Sequence, residues 1–134
     1  MDAPAAREQF SQARVARLAT VTATGAPHLV PVVFALVGDT VWTGVDAKPK
    51  RSRMLQRLAN IAANPRVSLL VDHYEEDWSQ LWWVRADGMA QVFAERTAEG
   101  EVALAAKYPQ YRDLPLPGPF IQVAVDHWRF WPAG

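Results

Sequence analysis

The chain has 134 residues, half of them hydrophobic, and its 14 acidic and 14 basic side chains give a formal net charge of zero. This length suits one domain, predicted here over residues 1–134, and the hydrophobic fraction excludes a disordered chain. The charge balance argues against a dedicated nucleic-acid binder, and the absence of cysteine excludes disulfides and thiolate metal sites. No apolar run reaches the length of a membrane span, so we expect a cytoplasmic protein that binds neither membrane nor nucleic acid.

The first part of the chain predicts a helix followed by three antiparallel strands. The helix spans residues 3–13, with Asp2 as its N-cap. We place the strands near residues 15–22, 28–37 and 40–45. Turns at Thr24-Gly25 and Gly38-Asp39 separate these β-branched runs. The middle run, HLVPVVFALV, is almost wholly apolar and predicts a strand covered on both faces, while Pro31 within it predicts an edge strand or a bulge.

The rest of the chain predicts helices inserted between further strands. A helix with apolar residues at helical spacing ends at Asn64-Pro65, and the strand RVSLLVDHY follows. After an acidic loop comes a long strand, or two strands joined with a kink at Asp87-Gly88, and then a helix capped by Thr97 and ended by Pro109. The final strand is FIQVAVDHWRFWP. Six or so strands with short helices predict a mainly β, α+β fold built on an antiparallel β-barrel, with a β/α arrangement of residues 40–60 as the alternative.

Positive charge is concentrated between the third strand and the following helix. Lys48, Lys50, Arg51 and Arg53 lie there with Ser52 among them. A helix N-terminus attracts phosphate and disfavours cations, so four cations at this point predict a bound anion that compensates them. The alternative is a basic loop facing water. Nucleic acid is a less attractive anion, because no other segment extends this compact patch.

The sequence offers no recognisable catalytic machinery of its own. Its three histidines are scattered without ligand-like spacing, so we expect no metal site, and nucleophile-elbow and P-loop motifs are absent. Six tryptophans favour a flat aromatic-ligand site or a subunit interface. The neighbours Trp82 and Trp83 point to opposite faces of a strand. This profile is typical of a protein that takes its chemistry from a cofactor.

These residues also resemble a known superfamily. The strand series beginning ARLATVTATGAPHLVPVVF, the basic-started helix ending in NPRVSLLV and the strand WVRADGMAQV resemble the pyridoxamine 5′-phosphate oxidase-like split β-barrel proteins, from about Arg14 to Val92. The stretch from DAKPKR to WVRADG is similar to the actinobacterial flavin/deazaflavin oxidoreductases that use coenzyme F420. The resemblance implies an FMN-binding split-barrel fold and a homodimer with two cofactors in clefts between the subunits.

The resemblance also assigns cofactor contacts. It implies that Lys50 and Arg51 hold the cofactor phosphate, with Lys48 and Arg53 beside them. Pro49 stands where the superfamily often has Ser or Thr, and Ser52 is the candidate to replace that hydroxyl. The strand residues implied to lie along the ring and its pyrimidine edge are Pro31, Val32, Val33 and Thr43.

The activity implied is hydride transfer between the deazaflavin and an electron-poor small-molecule acceptor, with no catalytic side chain expected. Trp78, Trp82 and Trp83 are candidates to wall the acceptor site or the dimer interface. Four cations suit the longer anionic tail of F420 better than the single phosphate of FMN. Two alternatives remain open. One is an FMN-dependent oxidase or reductase, and the other is a protein that binds flavin, haem or tetrapyrrole without turnover.

Overall fold

The structure, a computed structural model, describes residues 1–45, 51–95, 97–114 and 116–132, with the backbone alone for residues 51–55. The strands are β1 (Ala16–Val21), β2 (Pro27–Val32), β3 (Ala35–Val37), β4 (Thr40–Gly44), β5 (Arg66–His73), β6 (Trp82–Phe93) and β7 (Phe120–Trp131). The helices are α1 (Ala3–Gln12), α2 (Arg51–Ala63), α3 (Ala98–Lys107) and α4 (Gln110–Asp113), with a 3-10 turn at Trp78–Gln80. Across the described residues, no helix is long and apolar enough to cross a membrane.

The strands form one antiparallel sheet in the order β2-β1-β5-β6-β7-β4-β3. β2 and β3 follow each other in the chain but are opposite edges of the sheet. Only Val33 and Phe34 connect them, and so short a connection keeps the two edges within about 10 Å of each other there. The sheet therefore curls into a barrel that is open between β2 and β3. This confirms the predicted antiparallel α+β split barrel.

The apolar run over residues 28–37 differs from its prediction in two ways. It is two strands, β2 and β3, rather than one. It is also not covered on both faces within the chain, because Leu29 is 66% exposed on the outer side of β2 while Val32 faces the core. The edge position predicted from Pro31 is confirmed, since β2 is the last strand of the sheet. Apolarity alone did not distinguish a covered face from a face left open.

The barrel interior is apolar and has a helix at each end. Its core includes Ala16, Leu18, Phe34, Val41, Leu69, Val84, Ile121 and Val123. At the end where β1 begins, α1 inserts Phe10, whose ring lies 4.8 Å from that of Phe34. At the other end, Asn60 of α2 is buried and its Nδ2 donates to Thr20 Oγ1 of β1 at 3.0 Å. The predicted cap of α1 is confirmed, since Asp2 accepts from Ala5 N at 2.9 Å.

Tyr108, which ends α3, closes the split of the barrel. Its ring is buried, and its hydroxyl accepts from Phe34 N at 3.1 Å. The same hydroxyl lies 3.0 Å from Phe34 O and 2.9 Å from Arg14 O, to which it can donate. Phe34 lies between the two edge strands, so no ladder partner serves its backbone. The phenol supplies that partner and joins α3 to the point where β2 passes into β3.

The predicted kink at Asp87-Gly88 is a β-bulge between β6 and β7. Asp87 pairs with His127 and Gly88 pairs with Val125, so the extra residue is Asp126 on the partner strand. The two strands approach closely there, because a Cβ on Gly88 would lie 2.2 Å from Ala124 O. Glycine is therefore required for packing at this position.

Candidate functional site

The cationic segment, residues 48–53, extends into the N-terminus of α2. Lys48 and Lys50 lie outside the described residues, while Arg51, Ser52 and Arg53 form the first turn of this 13-residue helix. That turn contains no acidic residue. The first N–H groups of the helix and the positive end of its dipole therefore have no carboxylate of their own turn to compensate them. This end of α2 is suited to an external anion.

Arg57, one turn further along α2, adds a cation that the sequence analysis did not single out. Its side chain is partly buried, and Nε has no hydrogen-bond partner among the described residues. Burial lowers the pKa of Arg57, although guanidinium groups remain charged in proteins. A partly buried cation with an unsatisfied donor favours an anionic ligand near this helix. Only its helical spacing from Arg53 could have indicated it.

The strand residues implied to contact the cofactor are at different depths. Pro31 is exposed on the outer side of β2, whereas Val32 is in the barrel core. Val33 packs from the connection against a second apolar cluster beneath α3. Thr43 is fully buried in β4, and its hydroxyl has no hydrogen-bond partner among the described residues. The structure therefore brings these four residues near the split without placing their side chains on one surface.

A broad outer surface of the sheet, here called the open face, is formed by outward residues of β1, β5, β6 and β7. One cross-strand row runs Arg17, Leu70, Arg85 and Arg129. The next row runs Asp72, Trp83 and Trp131, and Trp131 is 48% exposed. Like charges directly opposite one another destabilise a sheet. Among the described residues no acidic side chain forms an ion pair with Arg17 or Arg129, so this face favours a partner with apolar and anionic groups.

Asp87 organises a polar cluster on the open face. Its carboxylate accepts from Ser68 Oγ at 2.7 Å and from Arg85 Nε and Nη2 at 2.8 and 3.0 Å. Partial burial raises the pKa of Asp87, but the hydrogen bonds from Arg85 and Ser68 outweigh it and hold that pKa below its ordinary value. The carboxylate is therefore ionised at neutral pH. It positions Arg85 and does not serve as a proton donor.

Two hollows lie on either side of this Arg85–Asp87 pair. The first, of about 260 Å³, is lined by Leu70, Asp72, Tyr74, Trp83 and Arg85. The second, of about 290 Å³, lies between β1, β5 and β6 beside Ser68 and Asp87. Both are shallow and open to solvent on the isolated chain. A surface placed over the open face would deepen them into enclosed clefts.

The tryptophans of the WSQLWW stretch have separate locations. Trp78, on the 3-10 turn, is 75% exposed. Trp82 packs against the barrel core, with its ring stacked at 6.2 Å from that of His73. Trp83 lies on the open face opposite Trp131. Of the three, Trp83 is therefore best placed to contact a ligand or a second subunit there.

Solved structures with the same fold are found in several bacteria. A conserved hypothetical protein of Mycobacterium tuberculosis matches with a TM-score of 0.74 and 21% identity, covering 98% of this chain and 84% of that one. A FAD-binding protein of Mesorhizobium loti has a TM-score of 0.71 and 20% identity, covering 97% and 94%. The haem storage protein HutZ of Vibrio cholerae has a TM-score of 0.69 and 16% identity, covering 98% and 94%. At these identities the likeness shows the fold alone.

The sequence itself matches one family model over nearly its whole length. No curated protein matches it significantly. The model of pyridoxamine 5′-phosphate oxidase matches residues 3–132, which include every strand and helix of the split barrel. The chain therefore belongs to the pyridoxamine 5′-phosphate oxidase family.

Proposed function

We propose that the protein is an F420-dependent oxidoreductase that binds its cofactor at the N-terminus of α2 and works as a homodimer. The observation that carries this proposal is the start of α2, where three of the predicted contact residues form a first turn without any carboxylate. Arg57 adds a partly buried cation on the same helix. Several cations around one helix N-terminus suit a phosphodiester followed by further carboxylates better than they suit one phosphate.

The protein's contribution to the reaction is binding and exclusion of water. F420 supplies hydride transfer when bound, so no side chain needs to act as nucleophile or base. Lys50 and Arg51 hold the cofactor phosphate, Lys48, Arg53 and Arg57 neutralise the rest of the anionic tail, and residues 31–33 support the ring edge. The ionised Asp87 keeps Arg85 directed along the open face. Burial of the open face lowers the local dielectric constant and strengthens the contact between Arg85 and Asp87.

A second copy of the chain is the proposed cover for the open face. The face exposes Trp131 and Leu70, and it carries the arginines of the cross-strand row. The loop between β5 and β6 contains Glu75, Glu76 and Asp77, so each subunit offers acidic groups complementary to that row. We expect Arg129→Glu to shift the protein to monomer in analytical ultracentrifugation. Val37→Glu, a charge placed on a half-exposed residue of β3, is the control and leaves the dimer intact.

The decisive experiment titrates purified protein with F420 and with FMN while ring fluorescence is followed. We expect F420 to bind at least tenfold more tightly, and Lys50→Ala/Arg51→Ala to weaken it at least a hundredfold, with a similar loss at high salt. Arg66→Ala is a matched control, because Arg66 is an exposed arginine paired with Asp126 on another strand. Tighter binding of FMN, or unchanged affinity in the double variant, contradicts the proposal.

Binding without turnover is the second candidate function. One comparison favours it: a structural neighbour is a haem storage protein. Reduced F420 supplied with quinones and enones separates the two functions. Oxidation of the cofactor by any acceptor supports an enzyme. Tight binding with no oxidation, or tighter binding of haem than of either flavin, supports a carrier.

A further inference from the structure

A separate cleft lies away from the open face, between α3, α4 and Leu116. Its volume is about 460 Å³, within the range of small-molecule sites. Leu104 and Leu116 line it and are both buried in the apolar cluster around Trp42 and Phe120. The cleft opens to solvent and its floor is made of buried apolar residues, which is the usual form of a small-molecule site.

The walls of the cleft are mostly apolar. Val102 and Ala105 are three residues apart on one face of α3, and the buried Leu104 borders the cleft from another side of the helix. Val102 is 70% exposed, so most of its apolar surface is in contact with water. A ligand in the cleft would cover it and remove this apolar surface from water.

The charged groups that line the cleft are one acid and one base. Arg112 Nε donates to Ala105 O at 3.2 Å, which fixes the guanidinium beside α3. A guanidinium has five N–H donors, so others remain for a ligand. Glu101 already takes part in an interaction within the chain. The lining therefore has no net charge, and its apolar walls are combined with a fixed donor.

We propose that this cleft binds a neutral, largely apolar small molecule with one hydrogen-bond acceptor, such as a ring carbonyl, and that Arg112 donates to that acceptor. A neutral ligand adds no charge to a lining that already balances one acid and one base, and its acceptor satisfies a donor already held in place. This site is distinct from the proposed cofactor site and needs no residue of the cationic segment. Leu116 also packs against Gly44 at the end of β4, where a Cβ would lie 2.4 Å from Leu116 Cδ1. Ligand binding would therefore alter the packing at the end of β4, the strand that leads to the cationic segment.

The test uses 2-acetylnaphthalene as a neutral probe and 2-naphthoate as its charged counterpart, added to ¹⁵N-labelled full-length protein without cofactor. We expect the neutral probe to shift the amide signals of Val102, Ala105 and Arg112, with Kd on the order of 0.1–1 mM for so few atoms. The carboxylate should bind at least threefold more weakly. Equal or tighter binding of the carboxylate overturns the assignment of a neutral ligand.

Variants locate the probe. Val102→Glu changes an exposed helix position and should weaken the probe at least tenfold, while Arg112→Gln should weaken it threefold to tenfold. Val37→Glu is the control, since it places the same charge on a half-exposed valine of β3, and should leave Kd unchanged. The assignment of the site to this cleft is wrong if the Val102→Glu variant binds the probe as tightly as the wild type does. It is also wrong if the shifted amide signals belong to residues outside the cleft. Because cofactor is absent, this failure is distinct from failure of the proposed function.

Discussion

Replacing Tyr108 by Phe tests whether one phenol holds the split of the barrel. The substitution keeps the buried ring and removes only the oxygen, which contacts Phe34 N at 3.1 Å, Phe34 O at 3.0 Å and Arg14 O at 2.9 Å. Burial raises the pKa of this phenol, so its proton is present at neutral pH. The variant leaves the Phe34 N–H buried without a partner. It also removes the hydroxyl that can donate to the carbonyl oxygens of Arg14 and Phe34.

The expected loss follows from these contacts. A buried donor left unsatisfied costs about 1–3 kcal/mol, and the lost donation to a carbonyl adds about 1 kcal/mol. We therefore expect Tyr108→Phe to lower the free energy of unfolding by about 2–4 kcal/mol. For a domain of this length that corresponds to a fall in Tm of roughly 6–15 °C. Urea denaturation measures the loss, and hydrogen exchange should show faster exchange at the Phe34 amide.

The matched control is Tyr74→Phe, because Tyr74 is 63% exposed and the substitution removes the same atom. We expect it to change stability by less than about 0.5 kcal/mol. If Tyr108→Phe also stays within that limit, or if the Phe34 amide keeps its protection, the phenol is not what closes the split.

Three further predictions concern other buried contacts. Burial, with a smaller effect of Arg14, lowers the pKa of Lys107 to about 8, so the charged amine destabilises the fold below that pH and the penalty fades as pH rises from 8 toward 10.5. Lys107→Met should therefore stabilise by about 1 kcal/mol at pH 7, allowing for solvent screening, with less gain at pH 10, as thermal denaturation would show. Asn60→Leu should lower the free energy of unfolding by about 1–3 kcal/mol, because it leaves the Thr20 hydroxyl without its partner. In urea denaturation, the double variant Thr20→Val/Asn60→Leu should lose less than the sum of the losses of the two single variants. Gly88→Ala should cost about 2–3 kcal/mol in urea denaturation through the contact with Ala124 O, whereas the same measurement on exposed Met89→Ala should stay near the wild type.

The sequence predicted most elements because their signals are local. Asp2, Thr97 and the Asn64-Pro65 pair act on the residues next to them, and each marks a helix end in the structure. The sequence also predicted an irregularity at Asp87-Gly88. It did not predict that the extra residue of the bulge is Asp126 on the partner strand. Local chemistry was therefore enough to predict these helix ends.

The pairing of strands that are distant in the sequence could not be predicted from local signals. The run over residues 28–37 looks continuous, and only the pairing of its two halves with β1 and β4 divides it at Val33 and Phe34. Tyr108 gave no signal, since a tyrosine at the end of a helix has many ordinary roles. The row of Arg17, Arg85 and Arg129 likewise depends on strand register. The predicted cluster at Lys48 and Lys50 lies outside the described residues, so those contacts stay predictions.

The edge strand β2 also bears on how the protein behaves at high concentration. Exposed strand edges recruit other chains into intermolecular sheets and fibrils. Pro27, Leu29 and Pro31 are alternate residues of β2 and point their backbone nitrogens to the same side. Proline is tolerated in a sheet where that side faces solvent, so Leu29 alone offers an N–H along the outward edge. The two prolines therefore protect the split of the barrel against strand-by-strand aggregation.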